Sequence, residues 1–215
     1  MQPDLSSQFG NIDIYLFDQL LRGRIRPGMR VLDAGCGGGR NLVYLLREGY
    51  AVFAVDRDPL AIEEVQRLAA KLAPSLPPKN FQVAPLEAIP FADASFDVVI
   101  CSALLHFAAD DRQFNAMLKG FWRKLRPGGF SFCRLASSIG IEKEIQHVAG
   151  RRFLLPDGSE RYLVDAALLE TLTTELGAIL LDPIKTSVVH NQRSMTTWVI
   201  QKRAKRSLFS RERYK

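Results

Sequence analysis

Apolar and polar positions follow two rhythms along this chain, one near 3.6 residues and one made of short unbroken apolar runs. In IDIYLFDQLLRGRI, Ile12, Leu16 and Leu20 fall on one stripe, which predicts an amphipathic helix ending near Gly23. MRVLDA predicts a strand, RNLVYLLREG a helix capped by Gly49, and YAVFAVD a buried parallel strand closing on Asp56. Asp58 and Pro59 read as the N-cap and first residue of a helix over LAIEEVQRLAAKL, followed by the loop APSLPPKN. FQVA and FDVVICS predict a third and a fourth strand. Apolar residues at 114, 117, 118, 121, 122 and 125 predict a helix between Asp110 and Leu125. RPGG is expected to break the chain before a fifth strand, FSFCRL. A polar, less regular region follows, then a helix over DAALLETLTTELG, capped by Asp165 and stopped by Gly177. AILLDPIKTSVV and MTTWVIQK predict two closing strands, antiparallel because no helix separates them. Strand and helix otherwise alternate, which predicts an α/β chain with a largely parallel sheet covered on both faces.

Composition narrows the class. The 215 residues are 47% hydrophobic and 24% charged, as expected of one globular domain. The net charge of +6 is local: the stretch from Lys202 to Lys215 holds seven Lys/Arg and one Glu. Without it the body is balanced. Such a tail meets phosphates or acidic lipid, or is a solvated terminus that is disordered or peripheral. Cys36, Cys101 and Cys133 form no Cys-x-x-Cys pair and no metal-like cluster with histidine. The odd count and the absence of a signal-like N-terminus predict reduced thiols and a cytoplasmic location. FDVVICSALLHFAA is too short and interrupted to span a membrane.

RVLDAGCGGGRN concentrates four glycines (Gly35, Gly37, Gly38 and Gly39) between a predicted strand and a predicted helix. That is the crevice outside a strand's carboxyl end, where open α/β sheets bind ligands and backbone N–H groups face them. Asp56, 23 residues beyond Asp33, ends the next strand, where an acid accepts hydrogen bonds from ribose hydroxyls. The dinucleotide pattern Gly-x-Gly-x-x-Gly fails, because its last position is Arg40 or Leu42. A carboxylate at Asp33 suits a cation better than a pyrophosphate. These features point to a nucleoside carrying a positive group.

Four motifs in order carry a resemblance: VLDAGCGGGRN, VFAVDRDP, LEAIPFADASFDVVICSALLHF and LRPGG. The chain resembles class I S-adenosylmethionine-dependent methyltransferases, in particular the small-substrate types 11 and 12, from about Val31 to Phe132. The resemblance implies a Rossmann-like seven-stranded sheet in the order 3-2-1-4-5-7-6, with the last strand antiparallel. It divides the chain into an N-terminal helical cap (1–29), the methyltransferase domain (30–201) and the basic tail (202–215). It implies S-adenosyl-L-methionine as cofactor, with S-adenosyl-L-homocysteine as product. Gly35 and Gly37 would then let the backbone approach the methionine half, with Asp33 near its amino group, and Ala34, Cys36 and Arg40 would also bind the cofactor. Asp56 would hold the ribose, Arg57 would cover the adenine, and Leu86 and Glu87 would meet the adenine edge. Cys101, Ser102 and Ala103 would line the path to the sulfonium. Pro85 departs from the family, since it stands where an acid often accepts a bond from the adenine amino group.

Methyl transfer from a sulfonium is an in-line displacement, and a base is needed only if the acceptor has a proton to lose. His106 matches a position that is commonly His in the family, which makes it a base or a wall residue. His147, Arg151 and Arg152 could bind an acidic acceptor or belong to a solvated loop. Tyr15 and Phe17 could form a lid or the buried stripe of their helix. Phe114, Met117, Phe121 and Trp122 read as core. Methylation of a small molecule is the leading expectation. Its competitors are an RNA or protein methyltransferase using the basic tail, and a non-catalytic S-adenosylmethionine-binding module.

Overall fold

The computed structural model describes residues 4–204. Two helices open the chain, α1 (Leu5–Phe9) and α2 (Ile14–Leu21), whose N-caps Asp4 and Asp13 accept from Ser7 and Tyr15 N–H. There follow β1 (Arg30–Ala34), α3 (Val43–Arg47), β2 (Ala51–Asp56), α4 (Pro59–Leu72) and β3 (Phe81–Val83). Then come β4 (Phe96–Ser102), α5 (Asp111–Trp122), β5 (Leu125–Ala136), β6 (Gln146–Ala149), β7 (Arg152–Leu154) and β8 (Glu160–Tyr162). The chain closes with α6 (Ala166–Glu175), β9 (Ala178–Leu180), β10 (Lys185–Val189) and β11 (Arg193–Lys202). Asp58 caps α4 through the Leu60 N–H at 2.9 Å, and Asp165 caps α6 through the Leu168 N–H at 2.7 Å. Beyond Ala204 the expected basic tail lies outside the described residues.

The main sheet runs β10-β11-β5-β4-β1-β2-β3, with β9 also paired to β11. β1 to β5 are mutually parallel, and β11 is antiparallel to β5. This is the Rossmann-like order expected, with its sixth strand divided. β9 and β10 lie end to end along β11, which they flank at Ile200–Lys202 and Arg193–Thr197. Pro183, which has no N–H to give a ladder, and the buried Asp182 occupy the gap. Asp182 accepts from Gln19 at 3.0 Å and Arg24 at 2.8 Å, so the interruption fastens α2 to the sheet.

Alternate residues of the strands feed two cores. Leu32, Val99 and Cys133 pack with Phe114, Phe121, Leu169 and Trp198 on the α5/α6 face. Val31, Val98 and Phe132 pack with Leu16, Leu45, Ile62 and Val65 on the α2/α3/α4 face. The N-terminal helix thus shares the main core through Leu16.

Three expectations need correction. RPGG does not break the chain: β5 runs through it, with a register shift against β4 between Phe96 and Val98. Gly129 passes so close to β4 that a Cβ would meet the Asp97 carbonyl at 2.8 Å. The region after β5 is not irregular, because β6, β7 and β8 form a three-stranded antiparallel sheet. The helix expected from Arg40 begins only at Val43; residues 40–42 form a turn.

Candidate cofactor and acceptor site

β1 reaches the crevice at Asp33 and Ala34. The chain then turns with Gly35 at φ +82° and Gly37 at φ +49°, a backbone region that favours glycine. Gly35 and Cys36 N–H both donate to the Val55 carbonyl, at 2.8 and 3.1 Å, which ties the turn to the end of β2. A Cβ on Gly35 would sit 2.1 Å from Leu104 Cδ2, so the bare backbone is what lets Leu104 pack there. Asp56, at the end of β2, accepts the Gly37 N–H at 2.9 Å on one oxygen and the Asp58 N–H at 3.0 Å on the other. Each oxygen retains further acceptor capacity.

Asp33 is only 1% exposed, and neither carboxylate oxygen has a hydrogen-bond partner among the described residues. Burial pushes its carboxyl up to about 7; Arg40 works against that rise and Asp56 adds to it. An orphaned buried carboxyl is costly, and a cation brought to it relieves the cost. The same burial, reinforced by Asp33 and Asp56, raises the Cys36 thiol and keeps it protonated.

A 330 Å³ cleft opens beside this turn. Gly35, Asp56, Arg57, Leu86 and Glu87, all expected at the site, line it. So do Pro85, expected beside the adenine, and Asp58, Leu104, Phe107, Gln113 and Met117, which the sequence did not assign to it. Met117, expected only in the core, is both buried and a wall of the cleft. Its spacing gave the buried face of α5, while its place at the rim depends on the turn at Leu86 meeting that helix. Glu87 Oε1 accepts weakly from Gln113 Nε2 at 3.4 Å beside Pro85. A 490 Å³ surface hollow by α4 and β3, lined by Gln66, Arg67 and Phe81, holds no residue of the glycine turn. The smaller cleft is therefore the one with chemistry.

Arg40, Cys101, Ser102 and Ala103, also expected at the site, are not among the residues that line that cleft. Arg40 Nη2 donates to Ser102 Oγ at 3.1 Å. Cys101 is buried opposite Cys133, and Ala103 takes φ +60° as β4 ends. His106 packs against Phe107, ring centroids 4.7 Å apart, and its Nδ1 accepts the Ala136 N–H at 3.2 Å. That bond fixes the neutral ring with its proton on Nε2. Burial lowers the His106 pKa to about 4, and Arg161 pushes it the same way.

The other candidates are spoken for. Arg151 pairs with Asp165 at 2.9 Å, Arg152 with Glu160 at 2.6 Å, and His147 bonds the Gly150 carbonyl at 3.0 Å. Phe17 meets Phe9 edge-on at 4.9 Å, and Tyr15 bonds Ser187 Oγ at 2.7 Å. No helix among the described residues is long and apolar enough to cross a membrane.

Residues 31–129 match the methyltransferase domain family. An uncharacterized methyltransferase of Synechocystis is 35% identical over 105 residues, 49% of this chain and 46% of that protein. The match thus spans about half the length of that curated relative. A crystal structure of a methyltransferase from Methanosarcina mazei, described as SAM-dependent, superposes with TM-score 0.69 at 22% identity. It covers 86% of this chain and 98% of that one. The Burkholderia thailandensis 1,6-didemethyltoxoflavin-N1-methyltransferase, solved with its substrate and S-adenosylhomocysteine, gives 0.66 at 22% identity. It covers 93% of this chain and 81% of that one. Family match, strand order and glycine turn agree: residues 31–129 are a methyltransferase domain, and the chain is built on the class I S-adenosylmethionine-dependent methyltransferase fold.

Proposed function

We propose that this protein transfers a methyl group from S-adenosyl-L-methionine to a small-molecule acceptor. The observation that carries the reading is the orphaned carboxyl of Asp33, buried behind a glycine turn and beside a second acid, Asp56. The residues suit an aminoacyl nucleoside: Asp33 would accept its ammonium group, Asp56 its ribose hydroxyls, and Arg57, Leu86 and Glu87 would border its base. The cofactor supplies a methyl group activated by a positively charged sulfur. The chain's own work is then to align the acceptor and exclude water, which are sufficient sources of rate for such a displacement.

Leu104 and Phe107, at the wall of the cleft, exclude water. His106 stays neutral at physiological pH and offers Nε2–H as a donor, so it positions the acceptor and does not take its proton. A proton the acceptor must lose passes to solvent. The Burkholderia protein named above, whose substrate is a small molecule, supports the acceptor class.

The experiment is methyl transfer from radiolabelled S-adenosylmethionine into a cell extract resolved into small-molecule, RNA and protein fractions. Label is expected in the small-molecule fraction. Label confined to RNA or protein would overturn the acceptor class, and no label in any fraction would leave a cofactor-binding module without turnover.

A further inference from the structure

The crevice has two sides, and Arg40 and Ser102, which the resemblance also sets beside the cofactor, stand on the one away from Asp56 and Leu86. Asp33, Asp56 and the turn at Leu86 lie toward β1, β2 and β3. On the β4/β5 side stands a second cluster built around two guanidinium groups. Arg134, in β5, pairs in register with Ser102, the last residue of β4. Its side chain is 15% exposed, and its Nε lies 3.1 Å from Asp13 Oδ2. Its Nη1 donates to Thr197 Oγ1 at 3.1 Å, and its guanidinium carbon sits 4.6 Å from the centroid of the Tyr15 ring. Arg40 reaches in from the glycine turn to Ser102, with Nη2 3.9 Å from the same Asp13 oxygen.

Asp13 is thus shared. One of its oxygens caps α2 through the Tyr15 N–H at 3.0 Å, and the other faces both arginines. Two cations face this one carboxylate at the carboxyl ends of β4 and β5, and Arg40 also acts on the buried Asp33 carboxyl. Each guanidinium carries five N–H donors. Among the described residues, Arg134 uses two groups, Nε and Nη1, and Arg40 uses one. A planar fork held by packing against Tyr15 and left with unfilled donors is suited to a carboxylate.

We propose that Arg134 and Arg40, held by Asp13 and Tyr15, form a carboxylate cradle, and that the methyl acceptor is an acid gripped there. The inference rests on the methyltransferase reading and names its substrate class. The cradle grips a charged handle on the acceptor. Binding energy at a part of the substrate that does not react is what orients the part that does. The chemistry that fits the cradle has a second possible source, the cofactor's own amino-acid carboxylate, and the two separate by experiment.

Full-length protein is titrated with S-adenosylhomocysteine and, separately, with matched pairs of acid and carboxamide: benzoate and benzamide, phenylacetate and phenylacetamide. The acid titrations are run with and without S-adenosylhomocysteine. Binding of the acids and not of the amides is expected, weakened on the order of 10- to 100-fold in Arg134→Gln and in Arg40→Gln. Affinity for S-adenosylhomocysteine should stay within about threefold in Arg134→Gln, because its ammonium and ribose are held by Asp33 and Asp56; Arg40→Gln is read in the acid titration alone, since Arg40 also acts on the Asp33 carboxyl. Arg134→Gln strands the buried Asp13, so Asp13→Asn/Arg134→Gln removes both charges and serves as the folded control, checked by thermal unfolding. Half-exposed Arg40 gives a second variant for the acid titration.

Equal binding of acid and amide, acid binding that survives the substitutions, or no acid binding to the wild-type protein would overturn the cradle. A loss of S-adenosylhomocysteine affinity parallel to the loss of acid binding would assign the cradle to the cofactor and overturn the acidic acceptor. Absence of S-adenosylhomocysteine binding to the wild type would overturn the cofactor reading instead, while the acid titration still decides the cradle.

Discussion

Asp33→Asn removes a carboxyl that the fold has shut away from water without giving it a partner. The displacement of its pKa from an ordinary 3.8 to about 7 corresponds to about 4 kcal/mol between its two protonation states. The folded chain holds this proton more tightly than the unfolded chain. The associated stability is therefore complete below about pH 4 and lost as the pH rises through about 7. A cationic ligand reverses the preference, because it needs the carboxylate. Affinity for S-adenosylhomocysteine should rise by up to about tenfold per pH unit from about pH 5 to pH 7 and then level off. Calorimetry in buffers of different ionisation enthalpy reads both the affinity and the proton released. Close to one proton should leave per ligand at pH 5.5 and few at pH 8. Asp33→Asn should bind weakly, with no comparable pH slope, and the melting temperature of the unliganded variant should fall less than the wild type's between pH 5 and pH 8. A wild-type affinity flat across this range, or the same slope in Asp33→Asn, would refute the reasoning.

Three further outcomes follow from neighbouring residues. His106 should titrate near pH 4 by NMR, and its stabilising preference for the neutral ring, about 3 kcal/mol, is present above pH 6.5 and lost as pH falls through about 4; a midpoint above 6 contradicts the assigned bond to Ala136. Asp56→Ala removes the acceptor for Gly37 and Asp58 N–H, so urea unfolding should show a loss of about 2 kcal/mol and calorimetry a fall in nucleoside affinity on the order of 100-fold. Gly120→Ala places a Cβ 1.9 Å from the Leu86 carbonyl, backbone against backbone, so it should cost about 3 kcal/mol and weaken nucleoside binding by moving the Leu86 turn; unchanged urea unfolding would contradict that packing.

The sheet was legible because its strands are short apolar runs bounded by strong punctuation. Asp58-Pro59 announced α4, and the glycines after Asp33 announced the turn at the crevice. The parts that were not legible depend on contacts distant in sequence. RPGG reads as a break, yet Gly129 fits against the Phe96 and Asp97 carbonyls, so the strand continues. β6 to β8 are strands of three or four residues, and β6 is exposed throughout, so no alternation of apolar and polar residues marks them. Both acids of the proposed cofactor site were visible as end-of-strand carboxylates, whereas the isolation of Asp33 from every donor among the described residues was not. Leu104, Phe107 and Gln113 line the cleft from a turn and a helix whose spacing signals only packing. Arg134 gave no local signal, because its partners Asp13, Tyr15 and Thr197 come from three other segments of the chain.

The most direct measurement is a crystal structure of the protein grown with S-adenosylhomocysteine. The expected result is the nucleoside in the 330 Å³ cleft, its amino group within about 3 Å of Asp33 and its ribose hydroxyls on Asp56. A nucleoside bound elsewhere, or bound here with Asp33 still lacking a partner, would contradict a site shaped around a cationic aminoacyl nucleoside.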